Sequence, residues 1–215
     1  MPAVVVENTV CPGCHSNLRH RLFWEVCRER LTGTVLHFAP EPCLSVRLAA
    51  MPEVDYITAD LLRTDVKLIT SISAINLPDG AVDGVIAIHV LEHVRDDRAA
   101  MNEVFRVLKG GGWFALAVPL WDKATLEDPS IVTDEARAAA YGQANHVRIY
   151  GRDIEDRLSG TGFEVEVFDY RTVFNGEVER NFQHDAEGVL FLAAKPGDGR
   201  GLVHRVRTDQ RAACA

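Results

Sequence analysis

The sequence predicts an α/β fold whose doubly wound, mostly parallel sheet is closed by an antiparallel strand. Short apolar runs alternate with amphipathic segments through the first two thirds of the chain. That alternation is typical of parallel strands joined by right-handed helical crossovers. Two apolar runs, 163–170 and 188–194, then follow each other across a short link, which predicts an antiparallel pair at one edge.

Length and charge narrow the class of protein. The chain has 215 residues, 47% of them hydrophobic and 25% charged, as expected for a globular domain. A net charge of -8 disfavours nucleic acid and anionic membranes as partners. No signal peptide or membrane span is recognisable, so a cytoplasmic protein is expected. We predict a lead segment at 1–32, one domain at 33–195 and a loose tail at 196–215.

The first half of the chain predicts a lead helix, three strands and a second helix. Apolar residues of the lead segment have the spacing of one helix face: Leu18, Leu22, Phe23, Val26 and Leu31. The run 35–38 predicts a buried strand, and 42–50 a helix, because proline suits a first helical turn. Residues 54–58 predict the next strand, ending at Asp60, and 66–69 a shorter one.

The clearest pattern is a strand followed by an amphipathic helix. After a turn signal at 79–80, the β-branched run 82–88 predicts a central strand. A helix over 96–108 follows, with Asp96 as its cap and the glycines 110–112 expected to end it in left-handed geometry. A further strand is predicted at 113–118, and further helices at 134–141 and 151–159.

Ligands of such a sheet bind at the carboxyl ends of its strands, where the strand order reverses. The first strand-to-helix turn, 38–41, lacks the expected glycines: Ala39 allows close approach, but Pro40 has no N–H to donate. Asp60 stands where an acid accepts the ribose hydroxyls of an adenosine ligand; the alternative is a cap for a surface turn. His89 follows the central strand and has either a ligand-binding or a structural role.

A polar loop at 141–150 is the most unusual segment, because it collects Gln, Asn, His and Arg beside the expected crevice. His146 is predicted to be the general base, with His89 second, since imidazole accepts a proton near neutral pH. Arg148 is predicted to hold a carboxylate or phosphate of the substrate through two bonds. The alternative is a loop fastened by its own polar side chains.

The five cysteines do not form a disulfide framework, because their number is odd and only Cys11 and Cys14 are close together. This pair is half of a zinc knuckle, and no second pair supplies the remaining ligands. His15, His20 or Cys27 could complete a site only at a non-standard spacing. We therefore predict no metal site.

Several motifs resemble class I S-adenosylmethionine-dependent methyltransferases, which have a Rossmann-like, seven-stranded sheet. More narrowly, they resemble a small bacterial branch whose first motif reads Val-Leu-His-Phe-Ala-Pro-Glu instead of a glycine-rich loop; this chain has that run at 35–41. The other matching segments are 11–14, 19–22, 89–94, 106–112 and 142–151. The likeness covers about residues 11–170 and is specific for the fold and the cofactor, not for the substrate.

The resemblance implies S-adenosylmethionine as the cofactor. The cofactor-binding residues that it implies are Phe38, Ala39, Pro40, Glu41, Asp60, Ile72, Ser73 and His89. The turn at 39–41 would lie along the methionine part, Asp60 on the ribose, and Ile72 and Ser73 beside the adenine. Ser73 and Asn145 stand where family members often have Asp, so one adenine contact and a carboxylate near the proposed base are absent.

These residues together predict methyl transfer to an oxygen or nitrogen of a small molecule, in specialised metabolism or sugar modification. Two alternatives stay open. One is an enzyme that keeps the cofactor but catalyses cyclisation or elimination. The other is a binding module in which the Cys11 and Cys14 segment holds zinc.

Overall fold

A computed structural model describes residues 10–174 and 188–197. Its sheet has seven strands: β1 (Gly33–Phe38), β2 (Val54–Asp60), β3 (Leu68–Ile69), β4 (Val82–Ile88), β5 (Leu108–Ala117), β6 (Glu164–Asp169) and β7 (Val189–Ala194). The helices of the described residues are α1 (Leu18–Cys27), α2 (Pro42–Ala49), α3 (Asp97–Val107), α4 (Asp134–Tyr141), α5 (Ile154–Thr161) and α6 (Tyr170–Val173). None of them is long and apolar enough to cross a membrane.

The strand order β3-β2-β1-β4-β5-β7-β6 places the first strand in the middle of the sheet. Strands β1 to β5 are parallel, and β7 runs antiparallel to both β5 and β6. The predicted α/β fold, with its mostly parallel sheet and antiparallel closing strand, is therefore confirmed. The order reverses between β1 and β4, which is where ligands of such sheets bind.

Two apolar layers cover the sheet. One contains α3 and α5 and includes Met101, Val104 and Leu158. The other contains α1, whose Leu22 and Phe23 pack with strand residues from β4, β5 and β7. The lead helix is thus part of the same core as the sheet, because its apolar face has the spacing that the sequence predicts.

The main local correction concerns the glycines at 110–112. Helix α3 begins as predicted, since Asp96 accepts a hydrogen bond from the Ala99 N–H (2.9 Å). It ends at Val107, and Leu108 is already extended. The glycines therefore lie inside β5 and do not cap the helix, although Gly111 does adopt a positive φ of 79°. The predicted tail from 198 onward lies outside the described residues.

Candidate active site

Two residues with left-handed backbone mark the switch point of the sheet. Ala39 (φ 47°) follows β1, and His89 (φ 55°) follows β4. Their N–H groups donate to the carbonyls of Ala59 (2.9 Å) and Ala117 (2.8 Å) on the neighbouring strands. Left-handed backbone is uncommon outside glycine and concentrates at functional sites. Both strand ends thus turn away sharply at the edge of the sheet where ligands of such folds bind.

A carboxylate braces the turn that follows β1. Glu41 Oε2 lies 2.9 Å from His37 Nε2, and Glu41 Oε1 lies 3.3 Å from His20 Nε2. His20 Nδ1 accepts the Asn17 N–H (3.1 Å), so the His20 proton is on Nε2. His37 in turn meets the Tyr56 hydroxyl at 2.8 Å. These contacts attach α1, β1 and β2 to a turn that has no glycine.

The electrostatics of this brace keep Glu41 ionised. Burial raises the pKa of the carboxyl, but hydrogen bonds from His20 and His37 outweigh burial and lower it to about 2. Burial raises the pKa of Tyr56 to about 12, so its hydroxyl stays protonated. Because both oxygens of Glu41 face imidazoles of the protein, its contribution is to shape the turn.

We expect Glu41→Gln to remove part of the acid dependence of stability. A carboxyl with a lowered pKa stabilises the fold above its unfolded pKa, and this contribution is lost as the pH falls through the folded pKa. From about pH 5 to about pH 2, the free energy of unfolding of the wild type should fall by about 3 kcal/mol more than that of the variant. Denaturant titrations at several pH values measure this difference. Exposed Glu53→Gln is the control, and parallel curves for Glu41→Gln and wild type would contradict the expectation.

Asp60 ends β2 with one carboxylate oxygen in use. Its Oδ1 accepts the N–H groups of Leu62 (2.8 Å) and Arg63 (3.0 Å), whereas Oδ2 makes no hydrogen bond with the described residues. Arg63 also donates to the Pro40 carbonyl (3.0 Å), which links this turn to the one after β1. Asp60 therefore caps this turn, which is the alternative role that the sequence left open. The cap orients the carboxylate so that Oδ2 is not used by these two hydrogen bonds.

The turn after β3 is held in place by α3. Ile72 is buried and Ser73 is half-buried. Glu103 accepts the Ile75 N–H (2.8 Å), and Arg106 donates to the Ile75 carbonyl (2.9 Å). Sequence reasoning missed this pair because it lies on the polar side of the amphipathic helix, where charged residues usually face solvent.

Four titratable side chains gather beyond the end of β4. His89 Nδ1 lies 3.2 Å from Glu92 Oε1. The rings of His93 and His146 meet edge to face, with their centroids 4.8 Å apart. The backbone also joins the two segments, since the Val147 N–H donates to the Glu92 carbonyl (2.9 Å). The structure thus brings together the two predicted bases, His89 and His146, and adds Glu92 and His93.

Hydrogen bonds determine which nitrogen carries the proton in two of these histidines. His146 Nδ1 lies 3.1 Å from the Tyr141 carbonyl, and His93 Nδ1 lies 3.2 Å from the Asn145 carbonyl. A carbonyl oxygen only accepts, so both Nδ1 atoms donate and each neutral ring has its lone pair on Nε2. Burial is the main cause of a lowered pKa at His146, which favours the neutral ring.

Arg148 fastens the polar loop to the segment after β4. Its guanidinium donates to the carbonyls of Leu91 (3.0 Å), Val94 and Arg95 (2.7 Å) and to Glu127 Oε2 (2.9 Å). Its side chain is 3% exposed. Every guanidinium nitrogen thus bonds the protein itself, which favours the alternative of a loop fastened by its own side chains. Substrate anchoring by Arg148 stays a prediction.

A second arginine completes this buried network. Arg157 pairs with Asp97 Oδ2 and Glu127 Oε1, each at 2.9 Å. The Tyr150 hydroxyl donates to the same Asp97 oxygen (2.8 Å). The network ties the loop to α3 and α5, so His146 is held on a firm support.

Cys11 and Cys14 form no disulfide bond within the described residues. Cys14 Sγ lies 3.1 Å from the Ser16 hydroxyl. His20, which the sequence offered as one possible ligand for this pair, points instead to Glu41. Buried Cys27, another possible ligand, has its pKa raised to about 12 by burial, which disfavours the thiolate that a metal needs.

Similarity to known proteins gives this geometry a chemical context. Residues 13–116 match the sequence family described as a methyltransferase domain. That part of the chain is thus similar to methyltransferase domains. It is 28% identical over 165 residues to a protein of Mycolicibacterium smegmatis described as a probable S-adenosylmethionine-dependent methyltransferase. That alignment covers 73% of this chain and 60% of the relative, so the chain spans only part of the relative's length.

The fold is similar to the folds of solved structures. The cyclase SpnF shares 16% identity with a TM-score of 0.60, over 86% of this chain and 83% of that one. A phosphoethanolamine N-methyltransferase of Haemonchus contortus, in complex with S-adenosyl-L-methionine, shares 14% identity with a TM-score of 0.57. That match covers 83% of this chain and 52% of the other. S-adenosylmethionine is the cofactor that the family and these relatives support.

The residues of the crevice fit this cofactor. The free oxygen of Asp60 suits a ribose hydroxyl, because a carboxylate there accepts hydrogen bonds from adenosine ligands. The left-handed turn at Ala39 lets the backbone approach a ligand closely. Buried Ile72 offers an apolar surface of the kind that an adenine ring packs against.

Proposed function

We propose that this domain transfers a methyl group to an oxygen or nitrogen of a small molecule. The observation that carries the proposal is His89, an imidazole at the switch point of the sheet. Its Nδ1 faces Glu92, and its Nε2 is buried without a hydrogen-bond partner among the described residues. A buried nitrogen in this state is suited to bind and deprotonate an acceptor group.

The bound cofactor supplies a methyl group made reactive by its sulfonium. The crevice around Ala39, Asp60 and His89 aligns the acceptor with that methyl group and excludes water. An imidazole nitrogen would take the acceptor's proton, and the bound cofactor would give up its methyl group from sulfur to the acceptor atom. S-adenosylhomocysteine is then the second product.

Sequence ranks His146 before His89 as the proton acceptor, and the structure supports the reverse order. His89 is half-buried, whereas His146 is buried. His89 also follows β4 directly, and β4 is the neighbour of β1, whose following turn is proposed to contact the cofactor. We therefore propose His89 as the proton acceptor and retain His146 as the second candidate.

The proposed reaction is tested by incubating the chain with a cofactor that carries an isotopically labelled methyl group and with pools of small hydroxylated or amino compounds. Label in a product, together with S-adenosylhomocysteine, supports methyl transfer. The likeness to a cyclase favours one alternative: a rearranged product without S-adenosylhomocysteine would replace methyl transfer by that reaction.

Cofactor binding by the crevice is tested separately by calorimetry. We expect Asp60→Asn to weaken binding of S-adenosylmethionine by roughly tenfold or more, because a hydrogen bond to a charged group contributes about 1.5–3 kcal/mol. Exposed Asp65, which pairs with Arg63, supplies the control Asp65→Asn. Equal affinities for the two variants would remove Asp60 from the ribose site.

A further inference from the structure

We propose that Glu92, His93 and His146 bind a divalent transition-metal ion of the zinc class. One ligand atom from each residue lies within 4.8 Å of the other two. Two imidazoles and one carboxylate form a donor set typical of zinc and non-haem iron sites. The sequence did not predict this site, because His146 is more than fifty positions from the other two ligands.

The carboxylate of Glu92 is the strongest indication of a missing partner. Glu92 is 1% exposed, yet neither of its oxygens has a hydrogen-bond partner in the part of the chain that the structure describes. His89 Nδ1 approaches Oε1 at 3.2 Å, which leaves Oε2 without a polar contact among the described residues. Burial of an unpaired carboxylate is costly, and a bound cation is one of the few ways to offset the cost.

Both imidazoles are prepared to act as ligands. The hydrogen bonds of His146 and His93 to the carbonyls of Tyr141 and Asn145 keep the proton on Nδ1. The lone pair is then on Nε2 in each ring. Histidines that bind metals usually donate the other ring N–H to a carbonyl or carboxylate in this way, which orients the ring.

The segments that carry His146 and Glu92 are fixed to each other, whereas His93 is less restrained. Arg148 and the Val147 N–H join the loop that carries His146 to the turn that carries Glu92. His93 is exposed, so packing restrains its side chain less than it restrains buried Glu92 and His146. Ligand atoms about 2.0–2.2 Å from zinc stand roughly 3.4 Å apart, so a movement of about 1 Å closes the site.

Three protein ligands leave a coordination position open. That position would bind water or an oxygen of the acceptor molecule; this consequence alone rests on the proposed function. The proposed metal site and the proposed methyl transfer can therefore be tested independently of each other. In the loaded site His146 serves as a ligand, which agrees with His89 as the proton acceptor.

The test is metal binding by the full chain after treatment with a chelator. Calorimetry with Zn²⁺ and visible absorption with Co²⁺, whose spectrum reports coordination, should show one equivalent of bound ion. We expect Glu92→Gln, His146→Asn and His93→Asn each to weaken binding by more than about tenfold. Cys11→Ser combined with Cys14→Ser is the matched control and should bind as the wild type does.

Three results would overturn the proposal: no binding by the wild type, unchanged binding in Glu92→Gln and His93→Asn, or loss of binding in the cysteine variant. Circular dichroism and cofactor affinity check that each variant folds. Since His93 is exposed, His93→Asn decides the matter if substitution of buried Glu92 prevents folding. A chain that binds the ion but forms no S-adenosylhomocysteine would retain the metal site and lose the proposed function.

Discussion

Arg148→Met is expected to lower the free energy of unfolding by about 3 kcal/mol, because each buried carbonyl left without a donor costs about 1–3 kcal/mol. The substitution keeps the apolar stem but removes the donors for the carbonyls of Leu91, Val94 and Arg95. Arg157 stays on both Asp97 and Glu127. The loss therefore comes mainly from buried carbonyls left without donors.

Denaturant unfolding measures this loss, with exposed Arg152→Met as the matched control. The control should stay within about 0.5 kcal/mol of the wild type. Amide hydrogen exchange should also accelerate in the loop 141–150 and stay unchanged in α1. If Arg148→Met is as stable as Arg152→Met, the guanidinium does not hold the loop, and its predicted role as a substrate anchor gains support.

His89→Asn is expected to lower the rate of methyl transfer by about 10²–10⁴-fold, the usual contribution of a general base. Asparagine accepts the left-handed backbone at this position and keeps a polar group near the position of Nδ1. It has no atom that replaces Nε2 as a base. Added imidazole should restore part of the rate, because it replaces the missing base without repairing any packing.

His146→Asn is the comparison that separates the two histidines. The variant keeps a donor for the Tyr141 carbonyl and loses Nε2. If His146 is the proton acceptor, its variant should show the larger loss and the imidazole rescue. If His146 is a metal ligand, activity and bound metal should fall together, and imidazole should not restore the rate. A full rate in His89→Asn would exclude His89 as the base.

Much of the fold is determined by local patterns. Strand β4 has the predicted bounds, and α4 matches its prediction residue by residue. Apolar residues recur with the period of the helix or strand whose face they bury, so the pattern can be recognised in the sequence. The end of α3 was predicted wrongly for a physical reason. Glycine permits left-handed backbone but does not require it, and pairing between β4 and β5 extends the chain from Leu108 onward.

Some features of the candidate site can likewise be predicted from local sequence, and others cannot. Strand ends can be located from sequence, so Ala39, Asp60 and His89 were predicted as site residues from their positions. The brace around Glu41 was missed, because His20, His37 and Glu41 look like unrelated polar residues until α1 packs beside the first strand. Arg148 was noticed as unusual, but its partners are backbone carbonyls, which leave no mark in a sequence.

The sequence by itself determined the α/β class, the order of the elements and, through the resemblance of its motifs, the cofactor. Periodicity and motif spacing are local properties, so they can be recognised in the sequence alone. Only the tertiary structure decided which side chains meet: Glu92 and His93 with His146, and Arg148 with the turn after β4. Those contacts join segments more than fifty residues apart, and packing of the loop against the sheet alone brings them within reach.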